Sequence, residues 1–325
     1  MALKRRVLLV DPIPKDAAKV LIEDADIEVQ LYKPSRDGDL ASIVKDYDAL
    51  IVDNTDITRE VLAAGKAGKL KMVSQVGSSC TNLDLEAAAE LGVVVMNSPG
   101  YEANAVAEYT LAMMLALTRH ITYGMELVKK GKWHKRHRIV GSELEGAVCG
   151  VLGLGDDGRL VAKKAKALGM KVIVNDTTLP LSDRKRIASE LGAEYRTLDE
   201  VIKESDYICL HLPPGKRTKG LIGKREFEMM KGTSYLINTT SPGVVDEEML
   251  YQALKNDVIR GAAIDAVEKG IVRARDRLLS LHNIIITPSF ASYTEEARRS
   301  QPLQAAKQVR NAIRFGAYVN VVARG

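Results

Sequence analysis

The stretch GVLGLGDDGR, residues 150–159, sets Gly153, Gly155 and Gly158 in the spacing G-x-G-x-x-G. Glycines so placed permit a tight turn and let backbone amides approach a phosphate at a helix N-terminus. Alone the pattern is weak. Here it follows the apolar run AVCGVL and opens the helix-like LVAKKAKALG, the context a dinucleotide pyrophosphate requires. The next strand-like run, KVIVND, ends in Asp176, about 20 residues on, where a carboxylate accepts from ribose hydroxyls and repels a 2′-phosphate. NAD, rather than NADP, is the expected cofactor.

Asp156 and Asp157 fill the variable positions of that loop. They fall close to where a pyrophosphate rests, and like charges a few ångströms apart weaken binding. Either these carboxylates lower the affinity, or both face solvent and only their amides matter; Arg159 is the nearest offsetting charge in sequence. A second stretch, LINTTSPG at residues 236–243, ends an apolar run in Thr239, Thr240, Ser241 and Pro242. Hydroxyls there can hydrogen-bond, but without a base beside them they do not titrate usefully near neutral pH.

The elements that must hold these loops are short β-rich runs alternating with helical patterns. VLLV, ALIV, KMVSQVG and VVVMN form one series, with a helical segment at Asp84–Leu91. A second series follows the basic stretch: AVCGVLGLG, KVIVND, YICLHLP, SYLINT, GAAID and NIIITP. Alternation of this kind is the signature of parallel α/β sheets. At 325 residues, two units fit better than one. The segment AVAEYTLAMMLALTRH, residues 105–120, is apolar around most of its circumference, so Met113, Met114 and Leu117 are expected in core or subunit interface.

Composition bounds the function classes. An apolar fraction of 46% with 27% charged residues is that of a soluble globular protein. The apolar run Val7 to Val10 is too short for a signal core, and no stretch is long enough to span a bilayer. Cys80, Cys149 and Cys209 are far apart and odd in number, as expected for reduced core residues of a cytoplasmic protein. Much of the net charge of +5 lies in KKGKWHKRHR, residues 129–138, which matches no nucleic-acid motif and reads as a solvated surface. No metal-ligand spacing stands out.

With these motifs in place the chain resembles the D-2-hydroxyacid dehydrogenases, the group that includes D-3-phosphoglycerate dehydrogenase. The resemblance rests on TNLDLEAAAELGVVVMNSPGYEANAVAE, the phosphate loop, HLPP, TKGLIGKREFEMMKGTSYLINT, GVVDEEMLYQAL and GAAID, in the family's order and spacing over nearly the whole chain. It implies two Rossmann-like domains with doubly wound parallel sheets, the cofactor domain (99–294) inserted into a discontinuous substrate domain (1–98 and 295–325). It also implies an active site in the cleft between the domains, a small-molecule substrate, and a homodimer made through the helical region around residues 105–140.

The resemblance carries roles onto single positions. The family's carboxylate-binding arginine falls at Ser241, its histidine-holding carboxylate at Gly270, and its proton-transferring histidine at Ser289, so all three types are replaced. Candidates to take over are Tyr101, Glu268, Lys269 and Tyr293, with Ser241 and Ser289 themselves. On the cofactor side His211, Pro213, Thr218, Thr239 and Asp265 match family positions, Asp265 that of the aspartate at the nicotinamide carboxamide and Thr218 one near the adenosine half. The substrate loops map to Asn54, Val76, Gly77, Ser78, Ser79 and Tyr101. Asp53 and Gln75 stand where phosphoglycerate-using members carry arginines, which argues against a phosphorylated acid. Three readings stay open, in this order: an NAD-dependent oxidoreductase that acts on a non-family carbonyl or hydroxy substrate or uses bound NAD without net turnover, a catalytically silent NAD-binding or regulatory protein, and an ordinary D-2-hydroxyacid dehydrogenase.

Overall fold

The computed structural model describes residues 4–213, 215–240, 242–265 and 277–324. They form two compact units, one of Met1–Glu102 with Thr294–Gly325, the other of Ala103–Tyr293. Among the described residues the strands are, in chain order, β1 (Arg5–Leu9), β2 (Ile27–Leu31), β3 (Ala49–Val52), β4 (Met72–Gln75), β5 (Val94–Met96), β6 (Val148–Leu152), β7 (Lys171–Asn175), β8 (Glu194–Tyr195), β9 (Tyr207–Leu210), β10 (Tyr235–Asn238), β11 (Gly261–Ile264), β12 (Ile284–Ile286) and β13 (Val321–Ala323).

The inserted unit holds the sheet β12-β11-β10-β9-β6-β7-β8, and every pairing in it is parallel. Its first strand, β6, lies between β7 and β9, so the winding direction reverses there. Ligands of doubly wound sheets bind at the carboxyl ends of the strands flanking that reversal. Successive residues feed opposite faces: Cys149, Val151, Tyr207 and Cys209 enter one core, Leu152, Ile208 and Leu210 the other. Burial on both faces is why these strands are continuous apolar runs rather than alternating ones. The helix Ala103–Thr118 covers the first face with Ala107, Leu111, Met114 and Leu117, a spacing that keeps one stripe inward.

The other unit holds the sheet β13-β5-β4-β3-β1-β2. Strands β1 to β5 pair in parallel, and β13 joins β5 antiparallel at the edge. Here the reversal lies between β1 and β3, with Asp11 and Asp53 just beyond their ends. The helix Glu295–Phe315 packs Ala305, Ala306, Val309 and Ala312 against Val7, Leu9 and Met72.

Two doubly wound α/β sheets are the architecture expected from the alternating runs. The antiparallel β13 is an addition that three exposed-to-buried residues, VVA, gave no means of foreseeing. Cys149 and Cys209 are buried strand residues, whereas Cys80 stands half-buried in a loop, correcting the expectation that all three are core. Among the described residues no helix is long and apolar enough to cross a membrane.

Candidate functional site: the phosphate loop and its neighbours

After β6 the chain turns at Gly153, whose φ of +99° lies in the region that L side chains rarely adopt. A Cβ there would stand 2.1 Å from the His211 carbonyl oxygen, and one on Gly158 would stand 2.1 Å from the Gly153 carbonyl oxygen. The first and third glycines are thus fixed by packing of turn, strand end and helix. Gly155 differs: a Cβ on it would meet only the Asp157 carboxylate, at 3.4 Å. That open side is where a phosphate can approach. Gly155 is also the N-cap of the helix Asp156–Ala167 and brings no side chain to compete for the first amides. The cradle fits a dinucleotide phosphate. NAD(H), when bound, supplies the hydride for redox chemistry; the residues around it bind and orient.

The two loop acids have different fates. Asp156 is exposed, while the Asp157 carboxylate is 24% exposed and lies 3.1 Å from His211 Nδ1. Burial alone would raise the Asp157 carboxyl. The bond and charge of His211, with the amides of Gly158 and Asp157, more than offset that and hold it below the usual carboxylate range. Arg159, the offsetting charge suggested by sequence, turns its Nε to the Leu154 carbonyl oxygen at 2.7 Å, so the partner of Asp157 is His211 instead. Asp176 is buried: one oxygen accepts from the Leu154 amide at 2.8 Å, the other from the Thr178 amide and hydroxyl at 2.8 and 2.6 Å. A carboxylate has about four acceptor directions, so these bonds orient Asp176 and leave room for a ribose hydroxyl.

Around the loop, Thr218 is buried and donates to the Pro213 carbonyl oxygen at 2.7 Å, while the Pro213 side is exposed. Thr239 shares a 2.7 Å hydroxyl contact with Thr110 of the long helix, pinning the end of β10. Asp265, at the end of β11, accepts from the Thr287 hydroxyl at 2.6 Å and from the amides of Phe290 and Ala291 at 3.2 and 2.7 Å. It therefore anchors the loop that carries Ser289. Ser289 is exposed, has a φ of +56°, and donates its amide to the Asp265 carbonyl oxygen. Tyr293 beyond it is 65% exposed. The Tyr109 ring meets Phe290 edge-on at 5.3 Å, and burial lifts its phenol above the ordinary value against a lowering from Thr287. Ser241, Glu268, Lys269 and Gly270 lie outside the described residues.

In the unit of β1 to β5, the substrate-loop positions gather at the strand ends. Asp11 accepts the amides of Asp53, Asn54 and Thr55 at 2.7, 3.1 and 3.2 Å, a bracket across the β1/β3 reversal. Gln75 Nε2 holds the Asp53 carbonyl oxygen at 2.7 Å. Burial first, and Asp11 second, lift the Asp53 carboxyl above its ordinary value, with Arg298 opposing. Val76 is buried, Gly77 has a φ of +89°, and Ser78 and Ser79 are exposed, with the Ser78 carbonyl oxygen held by Asn97 at 2.8 Å and the Ser79 hydroxyl 3.3 Å from that of Thr81. Tyr101 is 43% exposed, its carbonyl oxygen held by Ser300.

The sequence marks Asp157 and His211 singly and gives no sign of the roles of Tyr109 and Thr110. A residue pair 54 positions apart leaves no local signal. Asp11, directly after the first strand, could have been flagged as a strand-end acid at a switch point. Chemically, a carboxylate on an imidazole is an acid–base arrangement, but the His211 side chain has no exposed surface and cannot touch a substrate.

Residues 111–291 match the family model described as D-isomer specific 2-hydroxyacid dehydrogenase, NAD binding domain. The chain is 37% identical over 319 residues to a D-3-phosphoglycerate dehydrogenase of Methanocaldococcus jannaschii, covering 98% of this chain but only 59% of that one. A hydroxypyruvate reductase of Thermotoga maritima is 35% identical over 307 residues, covering 94% and 97% of the two chains. Among solved structures, the TT0316 protein of Thermus thermophilus superposes with a TM-score of 0.84 at 29% identity, covering 98% of this chain and 100% of that one. With its glycine cradle, its reversal-point site and these likenesses, the chain belongs to the D-isomer-specific 2-hydroxyacid dehydrogenase family and carries that family's NAD-binding domain.

Proposed function

We propose that this protein is an NAD(H)-dependent oxidoreductase whose substrate is a carbonyl or hydroxy compound other than an ordinary 2-hydroxy acid. The observation that carries the reading is Ser289. It stands on the loop anchored by Asp265, at the position where the family resemblance puts the proton-transferring histidine. A serine hydroxyl without a base does not shuttle protons near neutral pH. Ser241 and Gly270 replace the other two family residues in sequence. Asp53 and Gln75, at positions where phosphoglycerate-using members carry arginines, support a neutral or cationic ligand over a phosphorylated acid.

The buried, fully oriented Asp176 supports NAD over NADP by at least about tenfold in affinity, since a 2′-phosphate would lie against a carboxylate. Assembly as a homodimer is supported by Ile121, Met125 and Val128, exposed along one face of the helix Ile121–Lys129. A cavity of about 700 Å³ lined by Ala116, Tyr123, Val140 and Tyr235 adjoins that helix. Three free thiols support a cytoplasmic setting.

The reading is tested by following NADH oxidation with a panel of aldehydes and ketones that lack a carboxylate, beside glyoxylate and hydroxypyruvate. Turnover of one or more of the neutral compounds, above any with the acids, supports it. NADH binding without turnover of any compound favours the silent, NAD-binding alternative.

A further inference from the structure

In the unit of β1 to β5 the strand order β4-β3-β1-β2 places the winding reversal between β1 and β3. A ligand of such a sheet binds outside the carboxyl ends of the strands at the reversal. Most polar side chains there are engaged within the unit. Asp11, after β1, gives one oxygen to the amides of Asp53, Asn54 and Thr55 and the other to the Thr55 hydroxyl at 2.7 Å. Gln75, at the end of β4, turns its amide nitrogen to the Asp53 and Val76 carbonyl oxygens at 2.7 and 3.1 Å, and its side-chain oxygen accepts from Asn82 at 3.3 Å.

Asp53, directly after β3, differs. Its amide is held by Asp11 at 2.7 Å and its carbonyl oxygen by Gln75 and Asn82 at 2.7 and 3.3 Å, so its backbone is fixed from both sides. Among the described residues its carboxylate has no hydrogen-bond or ion-pair partner. The residue is partly buried, yet neither oxygen is sealed from solvent. Asp11 repels its charge, and Arg298 acts against that repulsion. An oriented carboxylate left unpaired beside a second one is unfavourable for the fold, and departures of this kind gather where a ligand completes the bonding.

We propose that Asp53 is a specificity-determining residue of the substrate site, accepting a hydrogen bond from a cationic nitrogen, an ammonium or guanidinium group, carried by the carbonyl or hydroxy substrate. The proposal deepens the reading above and rests on it for the reaction. A cation supplies the donor that the carboxylate lacks and relieves the repulsion from Asp11, through a charge-assisted bond stronger than a neutral one. An anionic group would meet two carboxylates at the same strand ends. Because the Asp53 backbone is already held, binding orders little of it.

Two measurements test the assignment on the full chain and on Asp53→Asn, a substitution that leaves every backbone bond of residue 53 available. NADH oxidation is followed with aminoacetone and hydroxyacetone, which carry an ammonium and a hydroxyl on the same skeleton. In the unaltered protein kcat/KM should favour aminoacetone by at least about tenfold, the scale of one hydrogen bond to a charged group. In Asp53→Asn that preference should disappear. NMR titration with n-butylguanidinium, and with the neutral isostere n-butylurea, gives a readout that needs no turnover. The guanidinium should shift the amides of Asp53, Asn54 and Thr55 in the unaltered protein, and neither probe should do so in Asp53→Asn. Equal use of the two ketones, or a preference that survives Asp53→Asn, overturns the proposal. If neither ketone nor any other carbonyl compound is turned over, the oxidoreductase reading falls and binding alone decides on Asp53. Shifts that require both the guanidinium and Asp53 then uphold the assignment, and equal shifts with both probes, or none, overturn it.

Discussion

The Thr287 hydroxyl donates to the Asp265 carboxylate at 2.6 Å, and through that bond the end of β11 fixes the loop on which Ser289 stands. The same carboxylate accepts the amides of Phe290 and Ala291, so a single buried acid determines the path of five residues. Between these bonds the Ser289 backbone lies in the left-handed region.

Replacing Asp265 by Ala should strand those donors. Each unsatisfied buried donor costs about 1–3 kcal/mol, so a marked fall in Tm is expected. Hydrogen exchange localises the effect: the Phe290 and Ala291 amides should lose protection while amides of β6 and β9 keep most of theirs. Uniform loss across the unit would show that Asp265 supports the whole sheet rather than the loop.

The three glycines of the phosphate loop should separate stability from binding. Gly153→Ala and Gly158→Ala place a methyl group 2.1 Å from carbonyl oxygens, and overpacking of that kind typically costs about 1–3 kcal/mol or more. Gly155→Ala meets no backbone and has an ordinary φ of −64°. It should leave Tm nearly unchanged and weaken NADH binding at least about tenfold, because the methyl group occupies the open side of the cradle. Equal losses of stability in all three variants would contradict this assignment.

The Asp157 carboxyl is held below its unfolded value of 3.8, so the sign of its pH effect is fixed. The stability it contributes is present above that unfolded value and is lost as pH falls through the lower folded one. Asp157→Asn should therefore cost about 1–2 kcal/mol near pH 6, the scale of a charge-assisted hydrogen bond. The gap should close on acidification below about pH 4. Thermal unfolding of both proteins across pH 2 to 7 checks this, and a gap that persists at the acid end would mean the pair contributes through packing alone.

Much of this arrangement is legible in the sequence because its cause is local. Gly153, Gly155 and Gly158 announce the turn through spacing, and the apolar runs of β6, β9 and β10 announce buried strands through length. Asp176 is visible as the acid ending the next strand. What is not legible depends on contacts between distant segments. Nothing in residues 156–159 says that His211 will meet Asp157 while Arg159 turns to Leu154. The clamp of Thr110 on Thr239 is equally silent, since both residues look like ordinary members of an apolar helix and a strand end. Asp11 is visible as an acid closing the first apolar run, but its partners, the amides of Asp53, Asn54 and Thr55, are not.

On the proposed reading, this member of the family has left ordinary 2-hydroxy acid chemistry while keeping the cofactor site. Steady-state NADH oxidation with glyoxylate, on protein first shown by titration to bind NADH, tests it most directly. Loss of an acid–base group alone typically lowers rates about 10² to 10⁴-fold. Against an ordinary kcat of about 10 s⁻¹, the protein with Ser289 should turn over at or below about 0.1 s⁻¹. A kcat of about 10 s⁻¹ or more would contradict the account and show that another residue performs the family's proton transfer.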